Sequence, residues 1–307
     1  MYESLSSYMK VGLVHFVAYP VANGEGPIVE TFRKIALDPF FEAVEVTWMR
    51  DPEVRKQVKT MKETAALTLA YGAHPRLLST KMNINDLDEG KRLKAVASLK
   101  EGIDEANELG ASAFAFLSGH YTVETLEQSY QALVASTKEI CRYASSKGTM
   151  KIALEVFDYD LDKKSLIGPA TLAKRFAQEI RSEYPDFGLL VDLSHIPLLH
   201  ETIEQSLSPV KDYITHAHMG NCVLKDPSLP GYGDLHPRFG FPGSENNVKE
   251  LTEYLQFLLS IGFLNKENRP VVSFEVKPFG AEDPELVVAN AKRTLTLAWD
   301  KVKPINY

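Results

Sequence analysis

With 307 residues, 44% of them hydrophobic and 24% charged, the chain has the composition of an ordinary folded protein and the length for a large core. No run reaches the roughly 18 consecutive apolar residues of a membrane span, and the N-terminal Met-Tyr-Glu-Ser-Leu-Ser-Ser-Tyr lacks a basic-then-apolar leader, so a cytoplasmic protein is expected. The formal net charge of -7 argues against a general nucleic-acid or anionic-membrane surface and favours a small neutral or weakly charged substrate.

Short β-branched or aromatic runs alternate with longer helical patterns along the whole chain. Met9 to Ala18 reads as a strand, Ile28 to Leu37 as a helix and Ala43 to Met49 as a second strand. Asp51-Pro52-Glu53 opens a helix, with Asp as N-cap, Pro in the first turn and an acid near the positive end of the dipole. A third strand, Leu67 to Tyr71, leads into Gly72-Ala73-His74-Pro75-Arg76, which reads as a loop. An amphipathic helix from about Leu87 to Leu109 stops at Gly110, strand four is Ala113 to Leu117, and helix four runs to about Ser146. The remaining strands are Ile152 to Leu154, Gly188 to Val191, Tyr213 to Ala217 and Val271 to Phe274. The intervening helices are Pro169 to Ser182, Glu201 to Leu207 and Val248 to Ile261, and a last one runs from Pro284 to Val302. Eight such units without a linker or a GxGxxG turn predict an α/β fold, a single (β/α)8 TIM barrel spanning 1–307 as one domain.

Four polar residues fall at or just beyond successive strand ends: Glu155, Asp192, His218 and Glu275. Charged groups there are costly to bury unless paired, hydrogen-bonded or metal-bound, and three carboxylates with one imidazole suit a divalent cation. His195, three after Asp192, reads as a substrate contact or a ligand to another ion. His216 and His218 share one side of their strand, with His218 the ligand and His216 a buried hydrogen-bonded neighbour. The long Gly220 to Asn247 connection carries Asp234, His236 and Arg238 and is expected to fold over the site in a substrate or metal role. His74 and His120 follow strands three and four, and Lys277 is placed to meet an anionic group. Trp48 reads as a core residue or a platform for a sugar face, and His15 and His200 carry no assigned role. Cys141 and Cys222 form no CxxC pair and read as reduced structural thiols.

The segments Leu154-Glu155-Val156, Val191-Asp192-Leu193-Ser194-His195, His216-Ala217-His218 and Phe274-Glu275 together resemble the xylose isomerase-like barrel superfamily, which holds sugar (phosphate) isomerases, epimerases of the tagatose 3-epimerase type and endonuclease IV. The resemblance implies one Mn2+, Mg2+ or Co2+, with Zn2+ as a further option, held by Glu155, Asp192, His218 and Glu275. It makes Glu155 and Glu275 the catalytic acid/base pair. His195 touches the substrate, with His120, Asp234, His236 and Lys277 as further substrate-binding candidates. The reaction implied is isomerisation or epimerisation of a small keto-sugar or polyol through a metal-stabilised enediolate, in a barrel of a type that often associates as a homo-oligomer. Asp234-Leu235-His236 also resembles the Asp-x-His pair of endonuclease IV, so a zinc-dependent abasic-site endonuclease is one alternative. A lyase or dehydratase on a related keto-sugar and a non-catalytic binding module are the others.

Overall fold

In the computed structural model, which describes residues 3–304, eight parallel strands form one sheet. They are β1 (Lys10–Leu13), β2 (Ala43–Val46), β3 (Thr68–Gly72), β4 (Ala113–Leu117), β5 (Lys151–Glu155), β6 (Gly188–Asp192), β7 (Ile214–Gly220) and β8 (Val271–Glu275). Their order is β1-β8-β7-β6-β5-β4-β3-β2, and the free edges of β1 and β2 meet where Glu42 N–H donates to Val11 O at 2.9 Å and Val14 bridges Glu45. The sheet is thereby a nearly closed barrel with helices between its strands, the fold expected from the alternating pattern. The outermost residues of the expected 1–307 domain lie outside the described stretch.

The helices begin and end where local chemistry dictates. The Asp51 side chain accepts from Glu53 N–H ahead of helix Pro52–Thr64, and Asp88 does the same for Lys91 N–H ahead of Glu89–Leu109. Gly110 ends that helix in the left-handed region at φ 69°, where a side chain would be strained. Large apolar residues such as Phe32, Phe114, Phe176 and Tyr254 fill the layer between helices and sheet. Side chains alternate along a strand, so the residues in phase with Glu155 and Asp192 face the barrel axis, and there Ala115, Ala153 and Leu190 make a small core of their own. Small residues are required at this narrow centre: a Cβ on Gly12 would stand 2.2 Å from Ser273 Oγ.

Three segments depart from the sequence reading. The first strand ends at Leu13, and His15–Ala18 form a helical turn across the barrel mouth, tertiary packing overriding the β-propensity of Val14 and Val17. Gly72 to Arg76 is not simply a loop, because His74–Leu78 coil into a short helix with Pro75 in its first turn. β7 continues to Gly220, so His218 lies inside it. Among the described residues both cysteines are free and buried, and no helix is long and apolar enough to cross a membrane.

Candidate metal centre

Glu155, Asp192 and Glu275 are the last residues of β5, β6 and β8, and His218 lies beside Asp192 in the β6–β7 ladder. Each offers one donor atom, and these four atoms lie within 4.8 Å of one another. His218 Nδ1 stands 2.8 Å from Glu275 Oε2, 3.6 Å from Glu155 Oε1 and 3.7 Å from Asp192 Oδ2. All four of those atoms are buried without a hydrogen-bond partner. A buried polar atom left so costs about 1–3 kcal/mol, and four converging on one point are what a cation satisfies at once. The donor set of three carboxylates and an imidazole fits a hard or borderline divalent ion.

The supporting contacts fix these donors. Glu45, inside β2, takes His216 Nε2 at 2.6 Å and His218 Nε2 at 3.1 Å on the same oxygen. With the Nε2 proton committed to Glu45, the His218 Nδ1 lone pair faces the centre. Sequence reasoning missed Glu45; its only signal was an acid interrupting the apolar run Ala43-Val44-Glu45-Val46. His74 Nε2 reaches Glu155 Oε2 at 2.9 Å, and Asp192 Oδ1 accepts from Ser194 N–H at 2.6 Å. Burial pushes the Asp192 carboxyl up to about 6, against the pull of His195 and with added repulsion from Glu275. Burial acts on Glu155 in the same sense, but His74 and His218 outweigh it and hold the carboxyl below its ordinary value. His218 is pushed well above the usual histidine range, burial notwithstanding, by Glu45, Glu275 and Glu155. Positive charge is therefore stabilised at this point.

A second donor set adjoins the first. Asp234 Oδ1 lies 3.1 Å from both His195 Nε2 and His236 Nε2, and His236 Nε2 is 3.5 Å from Glu275 Oε1. His195 Nδ1 donates to Val156 O at 2.8 Å, so a neutral ring would turn a lone pair toward the carboxylate. A proton or a cation must sit between them; burial opposes the imidazolium but Asp234 outweighs it and raises His195 to about 10. Lys163 Nζ takes the other oxygen of Asp234 at 2.9 Å. His236 holds a positive φ of 53°, a strained conformation for a residue with a side chain, in a connection pinned by Asn246 Nδ2 to Leu193 O and Gly220 O, each at 3.1 Å.

A cavity of about 290 Å³ opens onto both sets, and His74, Lys163, Asp234, His236, Glu275 and Lys277 line it. His120 is different. Its side chain is exposed and does not line the cavity, because the Asn83 and Asn85 amides each hold its carbonyl oxygen at 2.9 Å. Trp48 is likewise away from the cavity, half-buried with the Arg50 and Arg76 guanidinium groups 5.2 and 5.7 Å from its ring. His15 is buried against Thr31, and His200 pairs with Asp160 at the surface.

Residues 39–291 match the xylose isomerase-like TIM barrel model. The chain belongs to the xylose isomerase-like TIM barrel family. Several solved structures superpose over nearly the full length at low identity. The IolI protein with a bound zinc atom gives a TM-score of 0.72 at 17% identity, covering 97% of this chain and all (100%) of the other. D-psicose 3-epimerase from Clostridium cellulolyticum H10 gives 0.70 at 16%, covering 96% and 100%, and 3-keto-D-glucoside 4-epimerase from E. coli gives 0.68 at 15%, covering 94% and 99%. No curated protein matches the sequence.

Proposed function

We propose that this xylose isomerase-like barrel is a divalent-metal-dependent isomerase or epimerase of a keto-sugar or polyol. The observation that carries the reading is the convergence of four orphaned donor atoms, from Glu155, Asp192, His218 and Glu275, beside a cavity of ligand size. The fold neighbours named as sugar epimerases support it. Mn2+ is the ion we assign, and it would supply charge stabilisation for adjacent sugar oxygens, acidifying the C–H bond between them.

The protein's own groups do the rest. Glu275, which lines the cavity, takes the proton from substrate carbon, and Glu155 returns one from its deeper position. They enter from β5 and β8, three strands apart around the barrel, and epimerisation would require them to act on opposite faces of the bound sugar. His195, Asp234, His236 and Lys277 hold sugar hydroxyl or carbonyl oxygens. Lys277 is suited to this, since it lines the cavity, its ammonium lies 5.9 Å from the Phe279 ring, and no acid pairs with it among the described residues.

The test is solvent exchange. In deuterated buffer with Mn2+, the protein should place deuterium at one carbon of a ketose and lose this activity to a chelator. Failure with every ketohexose and ketopentose would reject the reading. A second reading, an abasic-site endonuclease, has one observation in its favour, the His195–Asp234–His236 donor set. Zinc-dependent nicking of abasic duplex would establish it, and intact duplex would dispose of it.

A further inference from the structure

The two donor sets differ in the charge around them. Asp234 Oδ1 and His195 Nε2 are buried without a hydrogen-bond partner, as are the four atoms of the first centre, so unsatisfied donors alone do not separate the sets. Among the described residues no lysine or arginine pairs with Glu155, Asp192 or Glu275, whose ion-pair partners are all histidines. Asp234 is different: the Lys163 ammonium lies 2.9 Å from its Oδ2 and donates to its carbonyl oxygen at 3.2 Å. The Asp234 side chain is fully buried, so water and salt screen this pair little.

The loop after β5 is built to deliver that ammonium. Asp158, buried at its base, accepts with Oδ2 from Leu161 N–H at 3.0 Å and Asp162 N–H at 2.7 Å, and with Oδ1 from Lys163 N–H at 2.8 Å. Asp162 Oδ2 in turn accepts from Asp234 N–H at 2.9 Å and joins this loop to the one after β7. Gly233, at φ 91°, permits the approach, since a Cβ on it would stand 3.1 Å from Asp162 Oδ2. Burial opposes the charge on Lys163, but Asp234 and Asp162 outweigh it and keep the ammonium.

A divalent ion between His195, Asp234 and His236 would have to share its one full carboxylate with this fixed positive charge, and the two like charges repel strongly where water is excluded. Glu275, the other acid in reach, turns Oε2 to the first centre. Resting on the metal-dependent reading above, we propose that Lys163 takes the place of a second cation, so that the chain holds one metal ion and leaves His195 and His236 to donate to sugar oxygens. Lys163 is then a positioning residue, acting through Asp234. The zinc-dependent endonuclease reading calls for an ion at this set and is disfavoured by the same contact.

The test counts metal. The full chain and its K163M, K163R and K163M/H236A variants are equilibrated with a small excess of Zn2+, an ion suited to imidazole and carboxylate donors, and desalted. Retained zinc is measured by elemental analysis, with thermal unfolding as the check on folding. The native protein and K163R should retain one ion per chain, K163M two, and the double variant one again. Two ions in the native protein overturn the proposal even if K163M does not fold, and so does a folded K163M that retains only one. A double variant that keeps two overturns it as well, because the added ion then lies elsewhere. Two ions in the native protein together with deuterium exchange on a ketose would sink this inference while leaving the isomerase reading intact. The expected counts without exchange on any sugar would do the reverse, and no ion in any variant removes this inference together with the metal centre.

Discussion

At the scale of single residues, the centre is a balance between three carboxylates and the positive charge they need. Glu275→Gln keeps the shape but removes the proton acceptor, and exchange should fall at least about a hundredfold, the usual contribution of a positioned base. Glu45 does not line the cavity and offers no atom to the four-donor centre; it acts by holding the His218 Nε2 proton. Glu45→Gln should therefore weaken Mn2+ affinity by about ten- to a hundredfold, read by direct metal titration. Asp192 sets the acid limit. Its buried carboxyl rises to about 6, and His218 beside it is held well above the usual histidine range; a metal must displace both protons, so affinity should still climb above pH 6 and fall more steeply as pH drops through it. The metal-free protein behaves oppositely at this residue. A folded-state value raised above the unfolded 3.8 means the fold binds the proton more tightly, so the Asp192 contribution to stability grows on acidification from about 6 toward 3.8.

At the scale of elements, His15 tests the turn that replaces the end of the first strand. Its ring is buried, bonded to Thr31 Oγ1 at 2.7 Å, and burial depresses it from 6.5 to about 4. The unfolded chain takes up that proton first, so stability should fall between pH 6.5 and pH 4, by about 3 kcal/mol at most. His15→Phe should remove this part of the pH dependence in denaturant titrations; an unchanged pH profile would mean His15 is not held neutral by the fold. The same turn shows where sequence pattern stops being informative. Glu155, Asp192 and Glu275 were legible because each closes an apolar run, and strand ends are where a barrel gathers its polar groups. Glu45 was not, since an acid within a strand has meaning only once β2 and β7 are known to face each other across the barrel. His74 was noted only for following strand three; its contact with Glu155 was not legible, because the Gly-Ala-His-Pro segment looks like a loop and folds as a helix. His120 misled for the converse reason: it follows a strand as His74 does, but the Asn83 and Asn85 amides hold its backbone and its ring faces outward.

At the scale of the molecule, the barrel architecture was legible throughout, because eight strand–helix alternations leave little else for a chain without linkers to do. What the alternation could not convey is the closeness of the two donor sets, which depends on the Gly220 to Asn247 connection folding Asp234 and His236 back beside Glu275. Buried, unsatisfied donors at the centre lower the stability of the metal-free fold, so Mn2+ should raise the unfolding temperature, and at a thousandfold excess over Kd the gain is about 4 kcal/mol. His218→Ala should abolish most of that metal-dependent increment. The most direct measurement of the central claim is anomalous diffraction from crystals soaked in manganese. The account expects a peak within bonding distance of Glu155, Asp192, His218 and Glu275; no density there, with those side chains turned apart, would contradict it.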